Sequence, residues 1–578
     1  MKLKSLLWSM AAFALVGCSS EEDAPNNPGN GNGEPQFLTV NLVTNATSGA
    51  LSRAEGDPSD SEGTKANYED GLAAENAVTK VRFYFFDAAG NAADVKGGNS
   101  NYLDWTNNIS TEDPTETPNV EKVLSATLVI QSPEGDEKPA QIVAIINPTN
   151  EAADPSLSIT ELEDVYADYT KYTTSGNFVM SNSTYANGNA KMMAVDVTNN
   201  VKSTKAEALK NPAVIYVERT VAKVRLTSNI PDSKTVTSGE ETFTIYPTFT
   251  TEKPQKFDGK DVYVRFLGWN VTGVTESTRL VKEINPAWAD NLFGASGWPW
   301  NWADYHRSFW AVNVENVDVN FGDFDGLKEN ETDAENLFQA QAKTKFNGSE
   351  WAYVNENASA NLGTGAGVEA NQRTKVIIAA QLVDENGAPL SFAEYGGVRY
   401  AEADLLTLFA ENAGLYKKED VEGATKFVKI TADDLEIQSS RDANVTDNKP
   451  FDGYYKSYVQ LKDPQDGVYY PNNSETATAL TAEQANAQLQ GLGYAKVWNE
   501  GRTYYFFDIQ HHGDKFGVVR NHIYDADLKT LVGLGTPVYN PDEIIYPEKP
   551  DDDDEFFIAA KINVLSWRVV NNDVDLNW

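Results

Sequence analysis

Residues 37–43 read FLTVNLV, in which Leu38, Val40 and Leu42 alternate with Thr39 and Asn41. A period of two places the three aliphatic side chains on one face, the pattern of a half-buried β-strand. Working outward, comparable β-branched or aromatic runs recur at Val81 to Phe86, Val123 to Ile130, Ile142 to Ile146, Val214 to Leu226, Val262 to Trp269, Lys375 to Val383, Tyr504 to Ile509 and Phe556 to Val570. Asn, Asp, Gly and Pro punctuate them, as in Asp384-Glu-Asn-Gly387. Helical patterns are few: Ser158 to Tyr169, Ala401 to Asn412, and Thr481 to Leu492, which opens on a capping Thr481 and carries Glu483 in its first turn. These patterns predict an all-β dominated chain of antiparallel β-sandwich domains with short helical insertions.

The surroundings of the 37–43 strand are as informative as the strand. Upstream, residues 24–35 (APNNPGNGNGEP) form a tether in which nothing can pack. Before that, Lys2 and Lys4 precede an apolar stretch from Leu6 to Val16, of signal-peptide length and too short to span a bilayer. It runs into Leu15-Val16-Gly17-Cys18, which resembles a lipobox with Cys18 as the lipidated residue. Cys18 is the chain's 1 cysteine, so no intramolecular disulfide forms and core burial alone holds the domains. Downstream lies Leu51-Ser52-Arg53-Ala54, a sequence that any exposed loop may contain. The expected division is a signal peptide at 1–18, a tether with the first strand at 19–53 (a propeptide with a removable strand in the resemblance described below), an N-terminal sandwich at 54–210 and a C-terminal sandwich at 211–578. That last domain ends in a terminal strand region at 555–578, behind a Pro-rich stretch and the acidic run Asp551 to Asp554.

Composition narrows the function. Lys and Arg total 47 against 85 Asp and Glu, a net charge of -38. Such a balance opposes binding to a phosphate backbone or an anionic lipid surface, so no nucleic acid is expected and membrane contact only through a lipid anchor. No HExxH, CxxC, GxSxG or phosphate-cradling loop occurs, and the 4 histidines include the adjacent pair His511 and His512, which a strand would point to opposite faces. Asp323-Phe-Asp325-Gly326 falls short of a calcium loop, because Phe321 and Thr332 occupy the first and last ligand positions. The cluster Trp298-Pro-Trp300-Asn-Trp302, with Trp310 nearby, reads as core or inter-domain packing ahead of a sugar-stacking platform. No enzyme activity, metal or cofactor is expected.

Several stretches together resemble the type V fimbrillins of Bacteroidales, in the major-subunit, short-fimbria branch. They are Cys18 with the acidic run that follows it, Leu51-Ser-Arg-Ala-Glu55, Phe178-Val-Met-Ser-Asn182, Val217-Glu-Arg-Thr-Val-Ala-Lys-Val224, Gly268-Trp-Asn270, Arg307-Ser-Phe-Trp310, and the terminal block from Gly501 to Trp578. Residues 322–370 depart from the family as an insertion. The resemblance implies two transthyretin-like, Greek-key sandwiches and an outer-membrane lipoprotein precursor. It implies cleavage between Arg53 and Ala54 by an arginine-specific surface protease, and an extracellular fimbrium used in adhesion and colonisation. It also implies polymerisation by donor-strand exchange: Phe37, Leu38, Val40 and Leu42 belong to the displaced strand, and Leu565, Trp567, Val569, Val574 and Leu576 to the donor. Partners would be identical and accessory fimbrial subunits and host or bacterial surface ligands. Two other readings share the lipobox and the sandwiches, a carbohydrate-binding surface lipoprotein and an anchor or tip accessory subunit.

Overall fold

The chain is described by a computed structural model over residues 35–44, 72–106, 122–283, 351–357, 373–440, 456–543 and 557–566, with short gaps inside some spans, and at 317–318 and 324. Its alternating stretches form strands. Among the described residues, β1 (Gln36–Thr44), β2 (Val81–Phe86), β3 (Tyr102–Trp105), β4 (Lys122–Ile130), β5 (Gln141–Ile146), β6 (Met180–Asn182), β7 (Val195–Asp196) and β8 (Ala213–Arg219) join in one sheet. Its order is β3-β2-β5-β6-β8-β1-β4, with β7 beside β5. β2 and β5 are buried along their whole length, which explains their unbroken apolar runs. The exception, Arg82 in β2, is neutralised by a two-pronged pair with Asp104, Nε to Oδ1 at 2.7 Å and Nη2 to Oδ2 at 2.9 Å.

The second domain is a sandwich. One sheet holds β9 (Ala222–Ser228), β11 (Trp351–Val354), β14 (His522–Val532) and β15 (Phe557–Ser566); the other holds β10 (Tyr263–Thr272), β12 (Lys375–Val383) and β13 (Arg502–Asp508) with the hairpin Lys234–Ser238 and Glu241–Pro247. Val224, Leu226, Tyr524 and Leu528 from the first sheet meet Trp269, Val271, Ile378 and Leu382 from the second in one core. Most pairs are antiparallel, but β14 runs parallel to β9, as β1 does to β8.

Between the paired strands β12 and β13 the chain leaves to build a module with its own core, including Leu405, Phe409, Leu435, Val459 and Leu489. Its helices are those the sequence predicts, Glu402–Asn412 and Ala482–Gln490. Thr481 caps the latter, accepting from the Gln484 amide at 3.1 Å while Gln484 Oε1 accepts from the Thr481 amide at 3.0 Å. The chain re-enters β13 at Gly501, whose φ is +73° and whose missing Cβ would lie 2.3 Å from the Leu382 carbonyl oxygen. In place of a helix over Ser158 to Tyr169 there is a short one, α1 (Ile159–Glu163), because the chain turns into strand at Tyr166–Ala167 to pair with Thr278–Arg279 of the second domain.

The expected boundary at 210/211 is corrected by the sheet. β8 belongs to the first domain, pairing with β1 and β6, and the chain enters the second only at β9. The stretch Val217 to Val224 is therefore the crossover, and its charges build the domain joint. Lys223 Nζ lies 2.9 Å from Glu75 Oε1, which the Tyr353 hydroxyl also reaches. Arg219 donates to the Glu75 carbonyl at 3.2 Å, to Asn521 Oδ1 at 3.3 Å and to Asn76. Lys282 pairs with Glu218 at 2.8 Å, and Arg520 with Glu356 at 2.8 Å, all four side chains being 0–1% exposed. Burial alone would raise the Glu75 carboxyl, but Lys223, Tyr353 and Arg219 hold it below its usual range.

At the rim of the joint Arg279 donates to the Glu163 carbonyl at 2.6 Å and pairs with Asp164 at 3.1 Å. Burial, then repulsion from Glu283, pushes Glu163 up to about 7 from 4.5 against the pull of Arg279. A raised carboxyl stabilises the fold in full below its unfolded pKa of 4.5, and that contribution disappears as pH climbs through 7. Glu163→Gln is expected to flatten this part of the profile: its unfolding temperature falls less than that of the parent between about pH 5 and pH 8. Parallel profiles for the two proteins would contradict the assignment.

Candidate functional site

β1 is an interior strand made by a short, isolated piece of sequence. Leu38, Val40 and Leu42 are each 0% exposed, facing Leu128, Ala126 and Leu124 of β4, while Val40 and Leu42 also align with Ala213 and Ile215 of β8. On the other face Thr39 Oγ1 lies 3.2 Å from Thr127 Oγ1, and Asn41 Oδ1 accepts from Ser125 Oγ at 2.9 Å. Phe37 points with this second face and is half-buried.

The backbone of β1 is satisfied on both flanks. β4 pairs with it in antiparallel register over all 9 residues, from Gln36↔Ile130 to Thr44↔Lys122. β8 pairs with it in parallel from Val40↔Ala213 to Thr44↔Val217. Ahead of β8, Phe37 and Lys202 exchange both backbone hydrogen bonds, at 2.7 and 2.8 Å. Among the described residues β4 has no sheet neighbour except β1. Withdrawing β1 would thus bare a three-residue apolar slot, uncover β8 and leave β4 without a partner, a condition strand edges do not tolerate.

β15, the last described strand, pairs with β14 alone among the described residues. β15 runs antiparallel to β14 from Phe557↔Val532 to Ser566↔His522. The register shifts once, on β14, where Lys529 is unpaired between Leu528 and Thr530 and is exposed; from Leu528↔Ala560 to His522↔Ser566 it runs without a shift. Leu565, expected in the donor, aligns with Ile523 in the chain's own sheet. Trp567, Val569, Val574 and Leu576 lie outside the described residues, as do Cys18, Arg53, Ala54 and the Trp298–Trp302 cluster.

The segment that holds β13, β14 and β15 also carries a family match. Residues 490–573 match the sequence model described as major fimbrial subunit protein type IV, fimbrillin, C-terminal. The chain carries a fimbrillin C-terminal region. This fimbrillin region includes Arg520, Asn521 and His522, so one side of the domain joint is part of it. The match is confined to this segment and does not reach the short-fimbria branch. No curated protein matches the sequence. Among solved structures, a fimbrilin (fimA) from Porphyromonas gingivalis W83 overlaps 93% of this chain and 99% of its own at 13% identity and a TM-score of 0.36. The tip fimbrial protein Mfa3 from Porphyromonas gingivalis overlaps 92% of this chain and 100% of its own, at 11% identity and 0.29. A fimbrial assembly protein from Parabacteroides distasonis ATCC 8503 overlaps 74% and 95%, at 10% identity and 0.28. Overlaps this shallow carry no argument, and the fimbrillin similarity is that of residues 490–573.

Sequence reasoning missed two features of the site. Lys202 gave no signal, because it acts through its main chain. The charges of the joint, Glu218, Arg219 and Lys223, stood only within the stretch Val217 to Val224, with no sign of their partners.

Proposed function

We propose that the chain is a fimbrial shaft subunit, exported as a lipoprotein through Cys18, cut after Arg53 by an arginine-specific surface protease, and polymerised by donor-strand exchange. The observation that carries the proposal is the position of β1, an interior strand whose removal leaves β4 without a sheet neighbour among the described residues. The donor is the terminal stretch beyond Ser566 of a neighbouring copy, with Trp567, Val569, Val574 and Leu576 supplying apolar side chains, since Leu565 already pairs within its own sheet.

Magnitudes fit such a switch. Refilling the slot of Leu38, Val40 and Leu42 is worth roughly 1.5–3 kcal/mol per side chain, or about 4.5–9 kcal/mol gross, less the cost of ordering the entering strand. While β1 is attached, its effective concentration is about millimolar or more, which a strand from a neighbour does not match. Cleavage removes that advantage, and the precursor stays monomeric until it is cut.

Purified chain treated with an arginine-specific protease is expected to convert from monomer to a ladder of higher species on unheated SDS gels, and Arg53→Ala chain to remain monomeric. A ladder from Arg53→Ala protein would place the switch elsewhere. A cut chain that stays monomeric would remove the exchange mechanism.

A further inference from the structure

The flank of β1 opposite β4 is a wall in two pieces. β8 covers Val40 to Thr44, and three residues earlier Phe37 is held by the main chain of Lys202. Between these pieces the chain departs as a loop carrying α2 (Lys205–Lys210). The loop is tied by its own residues. Asn200 Nδ2 donates to the Asn211 carbonyl at 3.0 Å across its neck, and Asn211 Nδ2 donates to the Glu207 carbonyl at 3.0 Å. Thr204 Oγ1 caps α2 by accepting from the Glu207 amide at 3.3 Å. Val201 and Ala208 are its buried feet, at 7% and 0% exposure. None of these hydrogen bonds uses β1; α2 packs on β1 and also touches β4, so the loop keeps its internal ties and a second support when β1 leaves, with the Lys202 N–H and C=O turned toward the vacated slot.

The slot needs such a feature. A one-residue slip of an entering strand is forbidden, because it would turn the apolar face outward; a two-residue slip restores the face and costs only end contacts. β4 and β8 alone discriminate poorly between registers two residues apart. We infer that the main chain of Lys202, held by the 200–211 loop, is the register stop for the entering terminal strand of a second copy of this chain. That strand must offer a free N–H and a carbonyl at the Phe37 position, three residues ahead of the residue that replaces Val40. The inference rests on the strand-exchange reading and adds to it what fixes the register.

The test uses the full chain cut after Arg53 and cleared of its leading peptide. A fluorescent synthetic peptide of residues 36–44, QFLTVNLVT, is the probe, compared with the same peptide N-methylated at Phe37, in which a methyl group replaces the proton that reaches the Lys202 carbonyl. The methylated peptide is expected to bind about tenfold more weakly. In Asn200→Ala protein, where the neck is untied, that difference is expected to shrink toward none, a coupling that a general loss of folding would not produce. Equal affinity of the two peptides for the parent protein would overturn the register stop while leaving strand exchange intact. Failure of the unmodified peptide to bind would overturn strand exchange, and the stop with it.

Discussion

Leu38→Ala combined with Leu42→Ala is expected to cripple the precursor and leave the assembled filament untouched. Each truncation removes a fully buried leucine and leaves a cavity, at about 2–5 kcal/mol. The two positions are one strand turn of four residues apart on the same face, far enough for their effects to add to roughly 4–10 kcal/mol. A domain with typical stability of about 5–15 kcal/mol does not absorb that loss. Thermal unfolding of the uncut chain is therefore expected at a much lower temperature, with poor recovery of soluble protein. Filaments formed from whatever precursor survives are expected to dissociate at the same temperature as the parent's, because the altered strand is discarded on cleavage. Filaments weakened in step with the precursor would mean that β1 stays in the mature subunit.

The second large effect belongs to the domain joint. Lys282→Ala deletes the cation 2.8 Å from Glu218, whose side chain is 1% exposed. Burial already pushes the Glu218 carboxyl up, against the pull of Lys282 and Arg520. Removing one member of a buried pair costs about 3–5 kcal/mol, since the carboxylate stays behind in a dry environment. At about 2–4 °C per kcal/mol for a domain of 150–250 residues, the unfolding temperature is expected to drop by roughly 10 °C. Lys282→Met together with Glu218→Gln is expected to recover much of it, as apolar and neutral replacements of buried pairs often do. A loss below 1 kcal/mol, read by denaturant unfolding, would show that the joint is wetter than its geometry indicates. Because Glu218 and Arg219 end β8, and β1 pairs with the start of that strand, the joint and the exchange slot share one element.

What the sequence disclosed follows from which physical signals are local. The alternation of Leu38, Val40 and Leu42 announces β1, and the cap at Thr481 announces the helix Ala482–Gln490, because strand faces and helix ends are written in adjacent residues. The boundary was misplaced because Lys210-Asn-Pro212 has the composition of a linker. That segment ends a short polar helix whose one buried residue is Ala208. The module from 392 to 498 was legible as helices but not as a body, since β12 and β13 pair across it and pairing partners leave no trace in local pattern. Lys223 and Glu75 were invisible as partners for the same reason: a polar strand face reads alike whether it meets water or another domain. The terminal block could be recognised as resembling fimbrillin, yet the bulge at Lys529 on β14 could not be foreseen, because an unpaired residue shifts the partner without marking the sequence.

N-terminal sequencing of filaments sheared from the cell surface tests the central claim most directly. Ala54 as the first residue, with Phe37 to Val43 gone from every subunit, is the result expected of a sheet that gives up its own strand and takes a neighbour's. Subunits that begin at Cys18 and keep Phe37 to Val43 within intact filaments would contradict it.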